Sequence, residues 1–337
     1  MQVYISIPRF ALSGGNLVTL ALAKYLASEG LDVYCCSGFK IQRAEDVTLS
    51  KPQRGLFNSF LNLVSFVLLS LLGLFVKNYV ATHHLTSLFN FLRKARFALV
   101  QDIECDFYPK KLKRIGNLLW KNYLSSQCLI VTNPYLAEKI NSQNHVEGFS
   151  FIPVEESIVA ENISKRVYDV VAVIRDGEYK APQRTIKVLE ELAERGYNVV
   201  AINGTRRDYK QQFFIGNLNR KDFINILSNT KVFLCLSKWE GLGLPNFEAY
   251  VCGCDIISTP IPSGCLLVNV DAESIDIIDD VASHEEISDI ICARLTTKSA
   301  QLYNDDAEFL LQRKKTLMKK NSIWLNYAKE IIQGSAK

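Results

Sequence analysis

Two runs of five apolar residues, Val170-Val171-Ala172-Val173-Ile174 and Val232-Phe233-Leu234-Cys235-Leu236, most restrict what this chain can become. Neither alternates apolar with polar, so neither suits a sheet with one wet face. Continuous apolar runs of this length belong to strands covered on both faces, as in parallel sheets. Each is followed by a glycine-bearing turn and then by a segment of helical character, Pro182 to Arg195 after the first and the stretch beyond Pro245 after the second. The chain opens in the same order. Val3 to Ile7 reads as a strand, Ser13-Gly14-Gly15-Asn16 as a turn, and Leu17 to Glu29 as a helix stopped by Gly30; Leu31 to Cys36 is a second strand. Further strands are expected at Tyr79 to Thr82, Phe97 to Gln101, Cys128 to Thr132 and Gly148 to Ile152, then near Val199, Phe213 and Asp255. This alternation in both halves predicts an α/β protein with two doubly wound, Rossmann-like parallel sheets facing a cleft.

A length of 337 residues suits two domains. The expected divisions are 1–153, a polar linker at 154–166, a second domain at 167–304 and a helical tail at 305–333. The nine cysteines are scattered, and several sit in apolar strands (Cys35, Cys36, Cys235). An odd number in such places implies reduced thiols and a cytoplasmic protein. Cys252 and Cys254 flank Gly253 without a second ligand pair, so no zinc site is expected. The first residues read as a strand, so no cleavable signal peptide is expected either. Charge is uneven: residues 1–166 hold 18 basic and 12 acidic residues, and residues 167–337 hold 21 and 23. The basic clusters Arg93-Lys94-Ala95-Arg96 and Lys110-Lys111-Leu112-Lys113-Arg114 favour peripheral contact with an anionic membrane surface, by roughly 1 kcal/mol per basic residue. Nucleic acid is a poor partner, because aromatics do not interleave with these clusters. Leu56 to Val76 is 21 residues long without a charge, which is long enough to span a bilayer. Asn58, Ser59, Asn62, Ser65, Ser70 and Gly73 interrupt it. A long helix packed on the first sheet, or lying on the bilayer surface, is the expected outcome.

Chemistry concentrates after the two apolar runs. Beyond the second lies Ser237-Lys-Trp-Glu240-Gly241-Leu242-Gly243-Leu244-Pro245, leading into a helix that carries Glu248. A strand, a glycine turn and a helix start aim unpaired amides and the positive helix end at an anion or a hydroxyl-rich ligand. Two carboxylates flank the turn, Glu240 in the loop and Glu248 in the first helical turn. Beyond the first run, Arg175 and Lys180 stand five positions apart, a fork and a point charge suited to clamping a diphosphate. The opening turn has adjacent glycines and lacks both G-x-G-x-x-G and an acidic residue at the second strand's end. A dinucleotide-dependent oxidoreductase is thereby excluded.

These strings resemble the E-x7-E and R-x4-K elements of family-4 retaining glycosyltransferases, which have the GT-B architecture. The resemblance implies that Glu240 holds donor-sugar hydroxyls and Glu248 the nucleotide ribose. It also implies that Gly241, Leu242, Gly243 and Leu244 offer loop amides, and that Arg175 and Lys180 neutralise the leaving diphosphate. Gly14 and Gly15 would approach the donor from the first domain, and the C-terminal helix would return to that domain. His84, or else its neighbour His83, follows a strand where family members place a histidine near the donor sugar. Val100-Gln101-Asp102-Ile103-Glu104-Cys105-Asp106-Phe107-Tyr108 resembles a segment of rhamnosyltransferase-like members of bacterial polysaccharide synthesis, and acceptor binding or loop structure is its expected role. Base contacts are expected near Phe214 to Asn217. The implied activity is sugar transfer from a nucleotide-sugar co-substrate to a glycan or lipid-linked acceptor, with no tightly bound cofactor and no metal. A nucleotide-sugar 2-epimerase and a non-catalytic nucleotide-sugar-binding subunit are the competing classes.

Overall fold

In the computed structural model the first apolar runs pair as parallel strands, β1 (Gln2–Ser6) with β2 (Asp32–Cys36), joined by helix α1 (Gly14–Ser28). Helix α1 begins three residues before its expected start, because Ser13 caps it by accepting from the amide of Asn16 at 3.2 Å. Gly14 and Gly15 therefore form the first turn of the helix rather than a loop ahead of it. Gly30, at φ +83°, ends the segment in the left-handed conformation that glycine adopts without strain. A short strand, β3 (Ile41–Arg43), adds antiparallel to β2. After helix α2 (Leu56–Phe75) the sheet continues with β4 (Tyr79–Ala81), β5 (Phe97–Val100), helix α3 (Lys113–Leu124), β6 (Cys128–Val131) and helix α4 (Pro134–Lys139). The strand order is β3-β2-β1-β4-β5-β6.

The second sheet repeats that order. It comprises β7 (Tyr168–Ile174), α5 (Pro182–Glu194), β8 (Val199–Asn203), β9 (Phe214–Gly216), α6 (Arg220–Ser228), β10 (Thr230–Cys235), α7 (Leu244–Val251), β11 (Asp255–Ser258), α8 (Pro262–Val268) and β12 (Ile275–Ile277). Helices α9 (His284–Ala300) and α10 (Ala307–Gln333) complete the chain. All neighbours in the order β12-β11-β10-β7-β8-β9 are parallel. Val170, Ala172, Val232 and Leu234 are fully or almost fully buried beneath Ile186, Leu189, Ile287 and Ile291 of the covering helices, as strands without alternation require.

The described residues are 1–51, 55–152, 166–205, 207, 209–216, 218–300 and 307–334. They fall into two compact units, Met1–Ile152 with Lys319–Lys337, and Pro153–Met318. Of the stretch expected as a linker, all but Arg166 lies outside the described residues, as do 305 and 306 of the expected tail. Gly148 to Ile152 is not a strand. Its amides are satisfied by Thr132 O, which accepts from Ser150 at 2.9 Å, and by Asn321 Oδ1, which accepts from Phe151 at 2.9 Å. A ladder is therefore not needed there.

Within the first unit the end of α10 is held by specific contacts. Trp324 Nε1 donates to Val131 O at 2.8 Å, Tyr25 OH donates to Asn326 Oδ1 at 2.6 Å, and Lys329 pairs with Glu29 at 2.6 Å. Trp324 is 1% exposed. Trp324→Ala is expected to destabilise the first unit by about 3–5 kcal/mol, the range for truncating a buried large aromatic. Urea unfolding followed by circular dichroism checks this, and an unchanged midpoint would show that α10 does not stabilise the first sheet.

Candidate functional site

Both sheets reverse their winding direction at their centre, between β1 and β4 in the first unit and between β7 and β10 in the second. In open α/β sheets, ligands bind at the carboxyl ends of the strands at such a switch point. In the second unit, β7 leads into Arg175 and β10 into Ser237 and Glu240. The turn after β7 is tight: Gly177 has φ +118°, and a Cβ there would meet the Tyr179 ring at 2.8 Å. Residues 178–180 form a single 3-10 turn, and the Lys238 amide donates to Tyr179 O at 2.8 Å, joining this turn to the one after β10. Lys180 Nζ then reaches Glu240 Oε2 at 2.5 Å, with both side chains about nine-tenths buried (9% and 12% exposed). Ser237 Oγ donates to the other carboxylate oxygen at 3.0 Å, and Lys180 also lies 4.6 Å from the Tyr179 ring centre.

Arg175 is exposed and lines the same cleft as Lys180, Glu240, Gly243 and Asn246. With two cations and one carboxylate, these charged lining residues carry one excess positive charge. Gly243, at φ +85°, is the N-cap of α7, and a Cβ there would collide with Ser263 Oγ. Pro245 brings no N–H to this helix start and the Asn246 amide donates to Gly243 O at 3.1 Å, so what α7 offers an anion is the positive end of its dipole. Leu242 is buried beside it, and Asn246 Nδ2 donates to Ser258 Oγ at 3.2 Å. Glu248 stands in the second turn of α7 rather than the first and is 4% exposed. Its carboxylate accepts from Arg220 Nη1 at 2.5 Å, from the first residue of α6. Sequence reasoning missed Arg220, since a lone arginine at a helix start carries no pattern. Phe214 stacks on Tyr209 with ring centres 4.2 Å apart, while Asn217 lies outside the described residues.

In the first unit, Thr82 is locked to Ser6, donating through Oγ1 to Ser6 O at 2.6 Å and through its amide to Ser6 Oγ at 3.0 Å. This places the two histidines differently. His84, expected to face the site, is buried with both ring nitrogens engaged: Nδ1 meets Glu104 Oε2 at 2.6 Å and Nε2 meets Tyr108 OH at 2.7 Å. A carboxylate only accepts, so Nδ1 donates to Glu104, while Nε2 shares a hydrogen bond with the Tyr108 hydroxyl. His83 instead lines a pocket with Arg9, Phe10, Asn16, Lys51 and Phe66. Its Nδ1 accepts from the Leu85 amide at 3.1 Å, and its ring stacks on Phe66 at 4.8 Å. His83, His84 and Glu104 place three ligand atoms within 4.8 Å of one another. The bonds between His84, Glu104 and Tyr108 already use the central atoms, so the set acts as a hydrogen-bond network. Of the remaining acids in this segment, Asp106 pairs with Lys113 at 2.5 Å, and Asp102 Oδ1 accepts from the Ile103 amide at 2.8 Å. Gln101 packs against Gly15 and donates to Thr19 Oγ1 at 3.1 Å, leaving Gly14 and Gly15 exposed at the start of α1.

Two Rossmann-like units with a cationic turn and a glycine turn at the second unit's switch point define a protein of GT-B architecture. Three solved structures share that fold. Sucrose-phosphate synthase from Thermosynechococcus elongatus is 14% identical, with a TM-score of 0.65 over 100% of this chain and 99% of that one. WaaG, a glycosyltransferase involved in lipopolysaccharide biosynthesis, is 14% identical, with a TM-score of 0.63 over 99% and 100%. HepE from Anabaena, solved in complex with UDP-glucose, is 13% identical, with a TM-score of 0.61 over 98% and 100%. No curated protein matches the chain by sequence. Residues 153–304 match the family described as glycosyl transferases group 1.

Burial lowers the pKa of His83, and the neighbouring His84 adds to this while Glu104 opposes it. Because the imidazolium is the disfavoured form, the ring loses its proton at a lower pH than a free imidazole. Histidine NMR, assigned with His83→Gln, should place its midpoint below 6.5, the ordinary value. A midpoint above that would show that Glu104 dominates and that the ring is cationic.

Proposed function

We propose that the protein is a nucleotide-sugar-dependent glycosyltransferase that moves a sugar to a glycan or lipid-linked glycan acceptor. The observation that carries this reading is the convergence of Arg175, Lys180 and Glu240 on one cleft at the end of β7 and β10. Departure of a nucleoside diphosphate leaves negative charge on its terminal phosphate. Arg175, Lys180 and the glycine turn at 241–244 that leads into the positive end of α7, held ready before the reaction, stabilise that charge without reorganising. These cations supply the positive charge that a divalent ion would otherwise supply, so the proposal includes metal independence. Glu240, fixed by Ser237 and Lys180, orients the sugar through its hydroxyls. Glu248, fixed by Arg220, holds the ribose.

Retention of configuration is part of the same proposal. The acceptor oxygen bonds the anomeric carbon on the face from which the phosphate leaves, the bond to the phosphate oxygen breaks, and that oxygen takes the acceptor's proton. His83 and the Gly14–Gly15 helix start are the groups proposed for substrate contact in the first unit. A rhamnosyltransferase-like role in bacterial surface polysaccharide synthesis, O-antigen or capsule, is the proposed setting. The nine free thiols support a cytoplasmic protein, working at the inner face of the cytoplasmic membrane.

A panel of nucleotide sugars screened for thermal protection identifies the donor, and release of free nucleotide measures its turnover. Arg175→Ala is expected to lower that turnover by about 100- to 1000-fold, the effect of deleting one preorganised charge-stabilising group. Arg175 is exposed, so the melting temperature should hold. Turnover unchanged by the substitution contradicts the assignment. Glu248→Ala should weaken nucleotide binding by about tenfold or more in calorimetry, the loss of a charged hydrogen bond. Equal affinity would remove Glu248 from the ribose site.

A further inference from the structure

Helix α2 is amphipathic in the wrong sense for a helix meeting water. A helix on a soluble domain turns its apolar stripe inward and its polar residues outward. In α2 the buried residues are Ser65, Leu69, Ser70 and Gly73. Ser65 Oγ accepts from the Gly38 amide at 2.9 Å, Ser70 Oγ accepts from the Phe89 amide at 3.1 Å, and Gly73 lies against the Tyr79 ring. The exposed residues are Leu56 (92%), Phe57 (72%), Phe60, Leu63, Leu71 and Phe75 (80%). Phe91 (73%) and Leu92 (67%) extend this surface, and they are tied to the helix because the Arg93 guanidinium donates to Leu74 O. Contiguous exposed apolar surface on this scale marks a docking face.

The charge around the patch points to its occupant. Residues 47–101 contain six basic and no acidic residues. Lys77, Arg93 and Lys94, all exposed, stand beyond the C-terminal end of α2. A second copy of this surface would set cations against cations with no carboxylate in the segment to pair them. An apolar layer beneath a negatively charged one suits both halves of the patch. The helix is long and apolar enough to cross a bilayer. However, Ser65, Ser70 and Gly73 fasten one side of it to the first unit over half its length, so it lies along a surface rather than through one.

We propose that α2, with Phe91–Lys94, docks the first unit onto an anionic lipid bilayer, its apolar side chains entering the headgroup boundary and its cations meeting lipid phosphates. This deepens the localisation proposed above and is independent of the chemistry assigned to the second unit. Asn62 and Phe66 of the same helix line the pocket that contains His83, so docking brings that pocket to the lipid surface.

Co-sedimentation of the full chain with lipid vesicles tests this. The protein should pellet with vesicles of equal parts phosphatidylcholine and phosphatidylglycerol, and much less with phosphatidylcholine alone. The double variant Lys77→Glu/Lys94→Glu should weaken binding to the anionic vesicles by about tenfold or more. Phe57→Ser/Phe75→Ser, which keeps every charge, should weaken binding to a similar degree. Both variants should keep the wild-type far-UV circular dichroism and soluble donor turnover, a readout that needs no lipid. Binding that ignores lipid charge, resistance of the bound protein to alkaline carbonate extraction, or a dimer that buries α2 and leaves vesicles unbound would each overturn the proposal.

Discussion

The ion pair between Lys180 and Glu240 joins the two turns that leave the central strands of the second sheet. Strands β7 and β10 are neighbours, but the chain winds away from them in opposite directions, so the turns at their ends would otherwise be independent. Lys180 and Glu240 cross that divide with side chains about nine-tenths buried, and the bond from the Lys238 amide to Tyr179 O repeats the connection in the backbone. Burying two charges is costly in itself, and the pair does not need to be a large source of stability. Its consequence is geometric. Each charge holds the other at the carboxyl end of the sheet, with Arg175 and the start of α7 alongside.

The first unit solves the same topological problem with neutral groups. Its switch point lies between β1 and β4, where Ser6, Thr82 and Thr86 form a closed hydroxyl cluster beneath the turn that carries the histidines. Behind it, Glu104 receives both the amide and the ring proton of His84, and Tyr108 completes the set. This network fixes His84 as a support and leaves His83, its neighbour, on the pocket side. One sheet thus presents an ion pair at its carboxyl edge, and the other presents imidazole, aromatic rings and the exposed glycine start of α1, beside Arg9 and Lys51.

Much of this was legible in the residues because parallel strands write themselves plainly. Val170–Ile174 and Val232–Leu236 are apolar throughout, and the paired spacing of Arg175 with Lys180 and of Glu240 with Glu248 survives as a readable string. What escaped did so for physical reasons. β3 and β12 are three residues each, too short to show a period. Gly148–Ile152 has the composition of a strand, yet its amides bond to Thr132 and Asn321, the latter about 170 positions away in the chain. Adjacent histidines cannot be told apart until Glu104 is placed. Arg220 has meaning only once α6 is packed beside α7. The inversion of α2 was also hidden, since hydropathy reports that a helix is apolar and not which side meets the protein.

The central claim is that a nucleoside diphosphate binds at the carboxyl ends of β7 and β10, against Arg175, Lys180 and the glycine turn. Hydrogen–deuterium exchange on the intact protein, with and without the nucleoside diphosphate of the donor, measures this directly. The account predicts protection concentrated at residues 175–180 and 237–248, with the outer strands β9 and β12 unchanged. Protection confined to those outer strands, with both central turns exchanging as in the free protein, would contradict it.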